Sequence, residues 1–314
     1  MSIRRFVLTG AAALAGLGIT LTALTGSARM ERDTASSGVG MPPENAAQMA
    51  LMPELERLQA AYPTAVFTAE QDEEGADWIL TIISEGRETR LFRADGRFLT
   101  EAQAAAPGNY RRLLYTYNRI LADPADFAPE QLERVRNFGS AENRRTAPVS
   151  GMAFFDAIYD TATRRSTEAN LVTQPFLGKN PRVHRLIAPR LNRAQERILE
   201  LAKTDSSVRA FTENIGTIEG YHWREIRDTS GRSFHSLGLA IDILPRNAGG
   251  KAIYWNWERN AGNERWMLTP LSRRWMPPEA VIDIFEEEGF IWGGKWGIWD
   301  NMHFEYRPEL LVGM

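Results

Sequence analysis

Between residues 238 and 244, large apolar side chains alternate with small or charged ones. Leu239, Ile241 and Ile243 fall on one face, and Gly238, Ala240 and Asp242 on the other. A period of two predicts a strand that buries its odd-numbered face and presents Asp242 opposite. Residues 302–306 repeat the pattern, with Met302, Phe304 and Tyr306 on one side and His303 and Glu305 on the other. A helix is expected before this second strand. Pro277 and Pro278 open it, Val281, Ile282 and Phe285 form its apolar stripe, and Gly289 stops it. Residues 290–292 then read as a strand and 293–297 as a loop. Upstream, 151–165, 188–203 and 206–214 have the periodicity of amphipathic helices.

The first half of the chain has a different character. Met49, Met52, Leu55 and Leu58 lie on one stripe of a helix expected over 44–60. Residues 78–83 and 88–93 read as two strands joined through Ser84-Glu85-Gly86-Arg87, and a turn at 94–96 leads into Arg97-Phe98-Leu99. Residues 108–140 have a helical pattern broken by Pro124 and Pro129. The chain therefore divides into a leader over 1–28, a Ser/Gly/Pro-rich tether over 29–45, an α+β module of unassigned role over 46–148, and a C-terminal unit over 149–314. No internal repeat is present.

Composition narrows the chemistry. The 37 basic and 40 acidic residues form no long basic run, which gives no nucleic-acid footprint. With no cysteine there is no disulfide, no thiol nucleophile and no thiolate zinc site, so a metal must be held by nitrogen and oxygen. None of the four lysines has a serine three residues before it, so a Ser-x-x-Lys nucleophile is absent. Eight of the nine tryptophans follow residue 220, marking the last third as a rigid aromatic unit. Arg4 and Arg5 precede an apolar stretch ending in Gly26-Ser27-Ala28, a small-x-small cleavage pattern. This reads as an export signal, with retention as a membrane anchor the alternative. Either way the body is expected in the periplasm or cell envelope.

Only four histidines occur, and two fall in the alternating segments. His235 lies in the turn entering the first strand. If the two strands are neighbours, His235, Asp242 and His303 converge on one point. Three such ligands leave the fourth position of a tetrahedral zinc for a water whose pKa falls to about 7. Asp300, three residues before His303, is then placed to take that water's proton and return it to a leaving amine. Arg224, in Tyr221-His222-Trp223-Arg224, is a candidate for holding substrate or stabilising an oxyanion. Glu305 shares the His303 face and is expected to orient a ligand. His184, between Arg182 and Arg185, reads as a surface residue, and His222 as a cleft or exposed one.

The spacing Ser233-x-His235-x-x-Gly238-x-Ala240-x-Asp242, followed by Asp300-x-x-His303-Phe304-Glu305, resembles the zinc D,D-carboxypeptidase and L-alanyl-D-glutamate peptidase family of bacterial cell-wall hydrolases. The resemblance spans roughly 150–314. It implies the fold shared with the hedgehog signalling domain, a small antiparallel sheet flanked by helices. It also implies Zn2+ on His235, Asp242 and His303, Asp300 as acid and base, and substrate contacts from Ser233 and Arg224. The implied substrates are peptidoglycan stem peptides, cut next to a D-amino acid. The hedgehog relatives keep a second reading open, a non-catalytic zinc module that recognises cell wall or protein. The resemblance implies nothing for 29–148.

Overall fold

Two antiparallel sheets organise the chain in the computed structural model, which describes residues 5–8, 43–71, 78–224 and 231–313. The first sheet is a meander of Arg5–Leu8, Val66–Gln71, Trp78–Ser84, Arg87–Ala94 and Arg97–Leu99. The helix Pro43–Ala61 contributes Leu51, Leu55 and Leu58 to the core beside Phe67, Leu80 and Ile82. Of the expected export signal only Arg5–Leu8 is described, and it lies paired with Val66–Gln71 as the edge strand of this sheet; the rest of the signal and residues 29–42 of the tether lie outside the described residues. Among those that are described, no helix is long and apolar enough to cross a membrane.

The second sheet has the order Ile215–Glu219, Ala240–Pro245, His303–Tyr306, Phe290–Trp292. Its two central strands are the two alternating segments, and Ile241 pairs with Phe304 while Asp242 pairs with His303. The helix Glu279–Glu287 covers the apolar face, where Phe285 stacks on Phe304 at 4.1 Å between ring centres. Ile241, Ile243 and Phe304 are fully buried there. Burying one such side chain contributes about 1.5–3 kcal/mol, so the apolar face fixes which way the polar face points.

Three expectations need correction. The helix predicted over 151–165 stops at Tyr159 because Asp160 takes a left-handed conformation (φ 55°), and a second helix, Arg164–Ala169, restarts from the Thr163 cap. The first of these, Ala153–Tyr159, packs on the N-terminal sheet, with Phe154 against Phe67 and Phe98. Within 108–140, the helices are limited to Pro129–Phe138 and single 3-10 turns. The stretch between is an extended arm whose Leu113 and Tyr117 are buried, and Tyr117 donates to Glu286 at 2.7 Å. Long-range anchoring there overrides local periodicity. His184 is not at the surface: it is fully buried, with Nε2 2.8 Å from the Tyr159 carbonyl and Nδ1 accepting from the Leu186 N–H at 3.3 Å.

Candidate metal centre

His235 is set by a tight turn. Ser233 is buried and its hydroxyl accepts from the His235 N–H at 3.3 Å, starting the 3-10 turn Phe234–Leu237. Gly238 ends the turn at φ 71°, and a Cβ there would lie 2.6 Å from Leu171 and 2.8 Å from the His184 nitrogen. Only glycine satisfies both demands. The chain then enters the Ala240–Pro245 strand, which carries Asp242.

Across the ladder from Asp242 stands His303, and the three donor atoms form a near-equilateral triangle. His303 Nδ1 is 2.9 Å from Asp242 Oδ1, His235 Nε2 is 3.1 Å from the same oxygen, and the two nitrogens are 3.2 Å apart. Ligands about 2.0–2.2 Å from a tetrahedral zinc lie about 3.3–3.5 Å from one another, so the triangle needs only a slight expansion. Among the described residues this is the only group of three or more metal-ligating side chains so close together.

The outer ring nitrogens fix which atoms face inward. His235 Nδ1 lies 2.7 Å from the Gly220 carbonyl, and His303 Nε2 lies 3.1 Å from Glu305 Oε2. Each outer nitrogen therefore donates, leaving the inner one as a metal donor. Gly220 is itself confined: a Cβ would sit 2.2 Å from the Arg182 carbonyl oxygen. Burial opposes the charge of Asp242, yet the charges and hydrogen bonds of His235 and His303 outweigh it and hold the carboxyl well below its ordinary range. Burial likewise opposes a charged His303, but Asp242 and Glu305 raise its pKa well above the usual value. A site that draws a proton this strongly is one where a divalent cation can replace it.

Behind Glu305 runs a chain of buried charge. Arg307 Nη1 donates to Glu305 Oε1 at 3.3 Å, its Nε donates to Glu309, and its Nη2 donates to the Leu113 carbonyl at 3.1 Å. Glu309 accepts from the Tyr62 hydroxyl at 2.6 Å and, through its carbonyl, from Arg57. The candidate ligand His303 is thus braced by residues of the N-terminal module.

Asp300 lies between Trp299 and the turn before His303, half-buried, with Oδ1 buried and lacking a hydrogen-bond partner among the described residues. Burial pushes its carboxyl up to about 7. His303 opposes the rise, and the Asp242 carboxylate adds to it. Tyr254 pairs with Asp300 in an isolated bridge, and burial with the Asp300 charge raises its phenol to about 12. Arg224 is exposed, and its positive charge acts on both Asp300 and Tyr254. His222 is also exposed.

Sequence pattern alone does not single out Gly220, Tyr254, Arg307 or Glu309. A carbonyl partner leaves no trace in residue type. Arg307 and Glu309, however, continue the polar parity of His303 and Glu305 and were open to discovery on that ground.

Residues 226–306 match a family model described as D-alanyl-D-alanine carboxypeptidase, and residues 54–115 match one described as a domain of unknown function. No curated protein and no solved structure matches the chain. The first match supports, at a coarse level, a zinc peptidase of the D-Ala-D-Ala carboxypeptidase-like kind. It encloses Ser233, His235, Asp242, Asp300 and His303, and leaves out Arg224 and the whole N-terminal module.

Proposed function

We propose that the chain is an exported zinc peptidase that hydrolyses amide bonds next to D-amino acids in peptidoglycan stem peptides, as a D-Ala-D-Ala carboxypeptidase or an L-Ala-D-Glu endopeptidase. The observation that carries this reading is the His235–Asp242–His303 triangle with, beside it, a buried Asp300 carboxyl oxygen that has no hydrogen-bond partner among the described residues. His235, Asp242 and His303 would hold a zinc ion, which would supply a water of lowered pKa and a Lewis acid for the scissile carbonyl. Asp300 takes the proton of the attacking water and delivers it to the departing amine, and a carboxyl pushed up to about 7 is suited to both transfers. Tyr254 keeps its proton at neutral pH and can donate to a developing oxyanion. Arg224 brings positive charge to the rim for substrate or oxyanion. The Ser233 hydroxyl, with its oxygen on the His235 N–H, still has a proton to offer substrate. The apolar segment after Arg4 and Arg5 supports action in the periplasm or envelope.

A module that only bound zinc would have no use for a carboxyl held at the cost of desolvation. Asp300→Asn should keep one zinc per chain while losing at least about 10²-fold in hydrolysis of purified peptidoglycan. Mass spectrometry of the released muropeptides identifies the bond. Undiminished activity in the variant would remove Asp300 from its role, and a zinc-loaded wild type inert on peptidoglycan would favour the recognition module.

A further inference from the structure

Arg274 is a buried cation, 3% exposed, that forms no ion pair among the described residues. Its Nε donates to the Thr269 carbonyl at 2.9 Å, and its guanidinium lies 4.5 Å from the centre of the Trp299 ring. Asp123 is the acid whose charge reaches it, but that carboxylate accepts from the Ala125 N–H at 2.9 Å. Burial lowers the Arg274 pKa to about 10. A guanidinium withdrawn from water without an acid is costly unless something else satisfies it.

Arg274 lines a cavity of about 230 Å³ together with Asn118, Gln131, Arg134, Lys295 and Trp296. Lys295 is neutralised by Glu286, whereas Arg134 is exposed and forms no ion pair among the described residues. Among the described residues no acidic side chain lines the cavity, so its balance is positive. The volume falls below the roughly 300–1,000 Å³ of sites for drug-sized ligands, which suits one amino-acid residue. Trp296 is shared with the metal centre, its ring 5.4 Å from that of His303. Asn118, Gln131 and Arg134 lie outside the segment that matches the carboxypeptidase family.

From this geometry we infer that the cavity is an anion subsite, separated from the metal centre by Trp296, which receives a carboxylate-bearing residue of the substrate peptide with Arg274 as its charged partner. The identity of the ligand rests on the peptidase reading, while the subsite itself stands on Arg274 and the cavity. Arginine suits a carboxylate because its planar fork can make two parallel hydrogen bonds.

Titration calorimetry of the zinc-loaded chain with N-acetyl-D-glutamate, its diamide and inorganic phosphate tests the assignment without any turnover. Arg274→Gln should weaken the dicarboxylate by about tenfold or more, and the diamide should bind weakly to both chains. Gln131→Glu adds a negative charge to the cavity wall while keeping the acceptor that Gln131 gives the Ala128 N–H. It should weaken binding in the same direction and remains informative if Arg274→Gln fails to fold. Carboxylate taken up by the zinc itself is common to all three chains and sets the baseline. Equal affinity in the three chains, or no carboxylate binding in the wild type, would overturn the subsite. Binding of phosphate alone would assign the cavity to phosphate esters and overturn the carboxylate. Because the readout is binding, a peptidase reading that failed on peptidoglycan would be recognised separately.

Discussion

His235 and His303 meet at one point but are held from two different regions. His235 is fixed by local chain geometry: a serine cap, a left-handed glycine and the carbonyl of Gly220. His303 is fixed by a relay of side chains through Glu305, Arg307 and Glu309 to Tyr62, 247 residues from Glu309 in sequence. A backbone carbonyl orients an imidazole without adding net charge. A carboxylate orients it and makes it a stronger base as well. Half of the centre is therefore built by its own motif, and half depends on a module that matches only a domain of unknown function. His184 supplies the contrast: burial lowers its pKa to about 4, outweighing the Tyr159 carbonyl and the charge of Glu85.

Acid should give the largest separation between these regions. The folded pKa of His184 lies below the unfolded value of about 6.5, so the unfolded chain binds more protons between these limits and stability is lost as pH falls from about 6.5 to 4. The loss from this residue is on the order of 3 kcal/mol. His184→Gln, which retains a donor towards Tyr159, should flatten that slope in denaturant unfolding. An unchanged slope would show that His184 does not set it.

On the relay side, Glu305→Gln keeps an acceptor for His303 but removes the charge, and should lower zinc affinity about 10–100-fold. Competition with a chromogenic chelator would measure this, and wild-type affinity in the variant would break the relay at its first link. The smallest effect is expected furthest away. Tyr62→Phe strips Glu309 of a buried donor and should cost about 1–3 kcal/mol of stability, with only a few-fold change in zinc affinity. Arg307→Lys should then fall between Glu305→Gln and Tyr62→Phe in zinc affinity, since Arg307 contacts both acids. A Tyr62 variant with full stability would uncouple the N-terminal module from the relay.

The sequence was most legible where one face of an element is apolar. The stripe Val281, Ile282, Phe285 and the alternation through Ile241 and Phe304 predicted the helix and strands around the centre, and their parity placed Asp242 and His303 on the same side. Legibility failed where the deciding contact is distant in sequence. Nothing local in 112–123 announces that Tyr117 will reach Glu286, and the three residues Arg182–His184 are too few to show a period. Arg224 is exposed, and its link to the site is the charge it exerts on Asp300 and Tyr254, which no local pattern announces. The buried state of Arg274 had no sequence signal at all, because arginine is usually found in water.

The direct pairing of Asp242 with His303 gives the ladder a way of proofreading itself. Slipping either strand by one residue would turn its candidate ligand towards the Phe285 layer and expose Ile241 or Phe304 instead. Apolar packing and the convergence of the three candidate ligands therefore reject the same misalignments, so a chain in which Asp242 and His303 meet has already passed the test of correct strand alignment.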